Sequence, residues 1–164
     1  MNIIIRTIEE NDYPAIKEIF TQGIETKNAT FEKTAPEWNE WNTKKLPHSR
    51  LAAIIDDEVV GWAALSVTSQ REVYRGVNEV SIYVSPDHTC KGIGRKLLEE
   101  LVKSSEQNGV WTLTAVIFPE NTASIKLHKS LGFREIGYME KSGCMDDVWR
   151  DNMLFERRSK LVGL

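Results

Sequence analysis

Apolar positions recur in two distinct periods along the 164-residue chain. "IIIRTI", residues 3–8, is β-branched and predicts a strand. Ile16, Ile19, Phe20 and Ile24 then fall at helical spacing, with Asn11 or Asp12 as N-cap and Pro14 in the first turn. "FEKTAPEWNEWNTKKL" predicts a loop and a short second helix. "RLAAIID" and "VVGWAALSV", hinged at Asp57-Glu58, predict a hairpin. "NEVSIYV" predicts a strand with Val80, Ile82 and Val84 on one face and Glu79, Ser81 and Tyr83 on the other. After a glycine-bearing turn, Leu97, Leu98, Leu101 and Val102 line one side of a helix; Glu99, Glu100 and Lys103 line the other, and Gly109 ends it. "WTLTAVIF" predicts a strand, "NTASIKLHKSLGF" a helix closing at Gly132, and "REIGYME" and "DVWRDNMLFER" two final strands.

The order β-α-α-β-β-β-α-β-α-β-β mixes hairpin neighbours with crossover helices. It predicts an α/β fold with a central mixed sheet of about seven strands and helices on both faces. No repeat, low-complexity tract or Pro/Gly-rich linker divides the chain, so one domain over 1–164 is expected.

Composition narrows the function. Hydrophobic residues are 41% and charged residues 27%, an ordinary globular mixture. A net charge of −3 argues against nucleic acid or an anionic membrane as a partner through bulk charge, so a basic site has to be local. Two cysteines, Cys90 and Cys144, are too few for a disulfide framework; with three scattered histidines they give no metal-ligand set. No apolar run is long enough to span a membrane, and the isoleucines of "MNIIIRTIEEND" are too few for a signal peptide. A cytoplasmic location is expected.

The chemistry gathers in "VSPDHTCKGIGRKLLEEL", residues 84–101. A strand, a Gly-x-Gly turn and a helix make an anion site. The first helical N–H groups lack intrahelical partners, the macrodipole adds positive charge, and glycine lets an oxygen come close. Lys91 and Arg95 or Lys96 can add charge from the sides. The P-loop spacing is absent, and Leu97 stands where a dinucleotide fingerprint needs its third glycine. The turn therefore fits a diphosphate without pointing to ATP or NAD; read alone, such a pair of glycines is more often an ordinary turn.

Three further pieces follow in order: Glu79 opening the strand before the turn, Asn121 opening a later helix, and "LHKSLGF" ending that helix. With Thr89-Cys90-Lys91-Gly92-Ile93-Gly94 they resemble the Gcn5-related N-acetyltransferase superfamily, whose motif is Arg/Gln-x-x-Gly-x-Gly/Ala. Thr89 departs from the first position of that motif. "NATFEKTAPEW", "REVYRGVNEVSIYVSP", "NTASIKLHKSLGF" and "DVWRDNMLFER" are similar, more closely, to the phosphinothricin and methionine sulfoximine acetyltransferase group. The resemblance spans nearly the whole chain.

It implies acetyl-CoA as co-substrate and a small amino-acid-like amine as partner, without metal, in a homodimer. By the resemblance, the coenzyme pyrophosphate sits on N–H groups of Cys90, Lys91, Gly92, Ile93, Gly94 and Arg95. The backbone of Ile82, Tyr83 and Val84 takes the pantetheine arm as an added strand, with Val84 N–H at the thioester carbonyl. Asn121 bonds the same arm, although it is also a good N-cap. Glu79 becomes the general base; the competing reading is a solvated strand carboxylate. His128 falls where many members carry a tyrosine that protonates the departing thiolate; the competing reading is a structural histidine. Phe31 and Glu32, with Glu72, Val73, Tyr74 and Arg75, surround the substrate, although Arg71 and Arg75 are equally read as solvated. "SGCMDDVWRD" departs from the lysine-rich loop of the group. Trp38, Trp41 and Trp62 are expected in the core or at a dimer contact. Two rival functions share these residues: a protein N-terminal acetyltransferase, and an acyl-CoA-binding sensor without turnover.

Overall fold

Alternation along the strands decides which helix each one meets. The computed structural model describes residues 2–164. Its strands are β1 (Ile4–Thr7), β2 (Leu51–Ile55), β3 (Glu58–Val67), β4 (Val77–Val84), β5 (Thr112–Ile117), β6 (Arg134–Met145) and β7 (Val148–Arg158). The helices are α1 (Tyr13–Glu25), α2 (Trp38–Lys44), α3 (Ile93–Gln107) and α4 (Thr122–Ser130). The strands form one sheet in the order β1-β2-β3-β4-β5-β7-β6. All neighbours are antiparallel except β4 and β5.

One face carries Ala53, Ala63, Leu65 and Val80 against Leu97, Leu98 and Leu101 of α3, with Ile125 and Leu127 of α4 alongside. The other carries Ala52, Ile54, Trp62 and Ala64 against Ile16, Ile19 and Phe20 of α1 and Trp41 of α2. Helices thus cover both faces, as the pattern predicts. Trp41 and Trp62 are fully buried and meet edge to face at 5.6 Å; Trp62 stacks on Tyr83 at 5.0 Å. Among the described residues no helix is long and apolar enough to cross a membrane.

The start of α1 differs from expectation. Asp12 stands at the N-cap position, but its side chain makes no capping bond. Its carboxylate instead accepts from Arg6 Nη1 and Nη2, at 2.7 and 2.8 Å, and from the Glu9 N–H at 2.7 Å. The paired guanidinium donors hold its pKa below the ordinary value. A depressed folded pKa means the stabilisation is present above the unfolded pKa and is lost as pH falls through the folded one. Asp12→Asn is expected to cost about 1–2 kcal/mol at pH 7, Arg6 being partly open to water, and less at pH 2 as the wild-type carboxylate takes up its proton. Urea unfolding at both pH values checks it.

The hairpins turn on aspartate, not glycine. Asp56 and Asp57 connect β2 to β3 with φ of 49° and 66°, one residue earlier than Asp57-Glu58. Asp146 and Asp147, at 51° and 62°, connect β6 to β7 in the same way. Asp tolerates this left-handed conformation because its short side chain bonds locally. β6 consequently runs on past "REIGYME" to Met145, with register shifts after Glu135 and Met139.

The feature that makes a site is a broken ladder. β4 and β5 pair only at Val77↔Thr112, Asn78↔Leu113 and Glu79↔Thr114. Beyond Glu79 the two parallel strands part, β4 following β3 and β5 following β7.

Candidate active site

The gap between the parted strands opens into a cleft of about 450 Å³. Glu79, Ser81, Ile82 and Tyr83 of β4 form one wall, and Ala115, Val116 and Ile117 of β5 the other. Phe31, Glu32, Asn121, Ser124, His128 and Asn152 complete it. A second groove of about 410 Å³ leads to the glycine turn and shares Ala29, Ile82, Tyr83, Asn121 and Ser124 with the first. The expected base and the expected coenzyme residues, apart from Lys91 and Arg95, therefore line one continuous depression.

The backbone in that depression is extended and polar. The Ser85 N–H donates to Val60 O at 2.8 Å, back toward β3. Strand alternation turns Tyr83 the same way and aims the N–H groups of Ile82 and Val84 at the parted edge. The β4–β5 ladder has already ended there.

At the turn, Gly92 is the N-cap of α3 with φ +78°, and Cys90 also has a positive φ, 60°. Gly94 lies inside the helix on the groove wall. A Cβ there would come 3.3 Å from Leu127 Cδ2 and 3.8 Å from Val84 Cγ2. The two glycines thus answer different needs: Gly92 a left-handed backbone, Gly94 a narrow groove. Lys91 Nζ bonds Asp87 O at 3.1 Å, and Arg95 Nε pairs with Glu99 at 2.9 Å. Lys96 is a correction: its ammonium donates to Ile3 O of the N-terminal segment at 2.9 Å. Thr89 Oγ1 donates to Pro86 O at 3.1 Å, a local turn contact.

Glu79 is half-buried at the apex where the strands part. Burial raises its pKa above the ordinary value, and the charge of Lys45 pulls it partly back. A carboxylate held that way can take a proton near neutral pH better than a solvated one.

His128 is 2% exposed, set edge to face on Phe133 at 4.9 Å. Its Nδ1 lies 2.8 Å from Ser124 O. A carbonyl only accepts, so Nδ1 carries the proton. Burial lowers the imidazole pKa, which favours the neutral ring with a lone pair on Nε2. Nε2 has no protein partner among the described residues. The ring lies on the cleft wall with Nε2 shut off from solvent, an arrangement that a structural histidine shares.

Asn121 caps α4, its Oδ1 accepting from the Ser124 N–H at 3.2 Å. Its Nδ2 donates to Asn28 O at 3.1 Å, leaving one amide proton free. The segment after α1 and the end of β5 meet at the Phe31 end of the cleft. Phe31 packs edge to face on Phe118 at 4.9 Å, and the Arg150 guanidinium lies 4.1 Å over Phe118. Arg150 donates to Lys27 O at 2.8 Å, and Lys27 pairs with Asp146 at 3.2 Å. The segment after α1 is thereby tied to the β6–β7 hairpin.

Glu72, Val73, Tyr74 and Arg75 are not in the cleft. Glu72–Tyr74 form a 3-10 turn with exposed side chains. Arg75 lies over Trp111 at 5.3 Å, with Nε 3.5 Å from Glu72. Arg71 lies over Tyr74 at 5.4 Å. β4 begins only at Val77, so Arg75 and the 3-10 turn lie before the strand that carries Glu79. Phe31 and Glu32 do reach the cleft.

Sequence reasoning missed Lys45, Ser124, Phe118 and Asn152. Ser124 is recoverable in retrospect: it stands four residues before His128 on a helix, where its carbonyl meets that side chain. Lys45 gave no signal, because a lysine at a helix C-terminus reads as a solvated cation.

Comparison with known proteins places the chain in a family. A profile described as the acetyltransferase (GNAT) family matches residues 9–133. The chain belongs to that family and is an acyltransferase. It is 31% identical to an L-methionine sulfoximine/L-methionine sulfone acetyltransferase of Salmonella typhimurium, over 90% of this chain and 89% of that one. A phosphinothricin acetyltransferase from Sinorhizobium meliloti, solved in complex with AcCoA, superimposes with a TM-score of 0.87 at 31% identity, covering 96% and 89%. A ribosomal-protein-alanine N-acetyltransferase from Brucella melitensis superimposes at 0.88 and 31%, covering 95% and 99%.

Proposed function

We propose that the protein, as one catalytic domain over 1–164, acetylates the primary amine of a small amino-acid-like substrate by direct attack in a ternary complex with acetyl-CoA. Phosphinothricin, methionine sulfoximine and methionine sulfone represent the class. The observation that carries the reading is the ladder that ends at Glu79↔Thr114, with a carboxylate at the apex of the gap and free strand N–H groups beside it.

Acetyl-CoA supplies an activated acyl thioester. The N–H groups of the turn from Cys90 to Arg95 meet its pyrophosphate, and Ile82–Val84 receive the extended arm as a strand would. Glu79 takes the proton that an ammonium must lose before it attacks. The Val84 N–H donates to the carbonyl oxygen, where negative charge grows as the amine adds. Collapse of the adduct breaks the C–S bond, and coenzyme A leaves as a thiolate that takes its proton from solvent, with the neutral ring of His128 on the wall of the cleft. Phe31 and Glu32 stand on the amine side.

The tie between the segment after α1 and the β6–β7 hairpin supports a short substrate over a long peptide. The Brucella relative favours the second reading, transfer to a protein N-terminus.

Thiol release from acetyl-CoA tests the proposal, measured with and without phosphinothricin. Release that depends on the amine supports it. Coenzyme binding with no release for any amine leaves the acyl-CoA sensor in its place.

A further inference from the structure

Lys45 lies at the C-terminal end of α2 and is held by its backbone onto β3, through a bridge to Ser66 and the Leu46 N–H to Leu65 O bond at 2.8 Å. Its ammonium donates to Ser66 Oγ at 3.0 Å and to Ser81 Oγ at 2.8 Å, and lies 5.9 Å over the Trp62 ring. Ser66 is the residue directly opposite Glu79 in the β3–β4 register, and Ser81 is two residues on from Glu79 on the same face of β4. The two hydroxyls thus fix the ammonium on the face that carries the Glu79 side chain.

Two hydroxyls and an aromatic ring hold the ammonium there, but no carboxylate balances its charge. A partly buried ammonium is normally paired with a carboxylate. Lys45 makes no ion pair within 4.0 Å among the described residues, and two serine oxygens use only two of its three donors. The charged groups that face it are Glu79 on β4, Glu32 from the segment after α1 and its neighbour Lys44. Burial lowers its pKa to about 8, with Glu79 and Glu32 acting to raise it. In the other direction, Lys45 is the charge that opposes the effect of burial on Glu79.

We propose that Lys45 is a positioning residue that acts through Glu79: its serine-anchored ammonium keeps the carboxylate ionised, and so ready to accept a proton, at a pH where burial alone would protonate it. The inference rests on Glu79 being the base. It makes the pair a matched set, a carboxylate sheltered enough to be basic and an ammonium near enough to keep it charged.

The test is the pH profile of kcat/KM for acetylation of phosphinothricin by wild type, Lys45→Met, Lys45→Arg and Glu79→Gln. In wild type the acid limb reports protonation of Glu79. Removing the positive charge raises the Glu79 pKa, so the limb of Lys45→Met is expected to move to higher pH by about one unit or more. Turnover on the plateau above it is largely kept. Lys45→Arg restores the charge and brings the limb back toward wild type. A loss of packing lowers activity at every pH and does not move the limb. Should Lys45→Met not fold, Lys45→Gln removes the charge while keeping a polar donor to the serines. A limb left at its wild-type position in the neutral variant, with Glu79→Gln flattened and slow, overturns the role of Lys45 and leaves the base intact. A Glu79→Gln enzyme that keeps the limb and the turnover overturns both.

Discussion

Glu79→Gln is expected to lower kcat by about a hundredfold to several thousandfold while leaving coenzyme A affinity within about twofold of wild type. The amide keeps the shape of the side chain and its place at the apex of the β4–β5 gap, but it cannot take a proton. The proposed coenzyme contacts lie on the strand beyond it and at the glycine turn, so binding is expected to be spared. The pH profile carries a second signature. Burial raises the Glu79 pKa, so the wild-type rate falls as pH drops through that raised value, earlier than for a solvated carboxylate. In the variant that limb is absent. Steady-state rates with a saturating amine, together with calorimetric titration of coenzyme A, check both parts. Wild-type turnover in a folded Glu79→Gln protein sinks the assignment.

Gly94→Trp is expected to weaken coenzyme A binding on the order of a hundredfold, ~2.7 kcal/mol. The position lies on the groove wall, where even a Cβ comes 3.3 Å from Leu127 Cδ2. An indole there fills the path between α3, α4 and the end of β4. Gly94→Ala is the control: Leu127 has a flexible end that can shift by a few tenths of an ångström, so affinity falls only slightly. Gly92 is the wrong place for this test, because its φ of +78° strains any side chain whatever the ligand does. Calorimetric titration reads the affinity, and thermal melting shows that both variants fold. Unchanged affinity in folded Gly94→Trp contradicts the groove as the coenzyme path.

The pattern along the chain carried the fold further than it carried the site. Period-2 and period-3.6 stripes assigned the strands and helices because each buries one side: Ala53 and Leu65 face α3, while Ala52 and Trp62 face α1. The aspartate turns were harder to read. Asp56-Asp57 and Asp146-Asp147 adopt a conformation for which glycine is the usual signal, so one hairpin was displaced by a residue and β6 was cut short. In the site, Glu79, Phe31, Glu32 and Asn121 were legible through the family resemblance, and the glycine turn through its own residues; the four side chains, with Cys90, Gly92, Ile93 and Gly94, line the joined grooves. Closeness in sequence misled for Tyr74 and Arg75, because the 3-10 turn and Arg75 lie before the strand that carries Glu79 begins. Lys45 was invisible for the opposite reason. It reaches Ser81 across thirty-six positions, through a strand pairing that no local pattern encodes.

The central claim is transfer to small amino-acid analogues. It is tested most directly by competition: one reaction holding acetyl-CoA, phosphinothricin, methionine sulfone, and short peptides beginning with Ser or Ala at equal concentration, with the acetylated products quantified by mass spectrometry. At least one analogue is expected to be acetylated with a higher kcat/KM than every peptide. Peptides that outcompete both analogues contradict the small-substrate reading and put transfer to a protein N-terminus in its place.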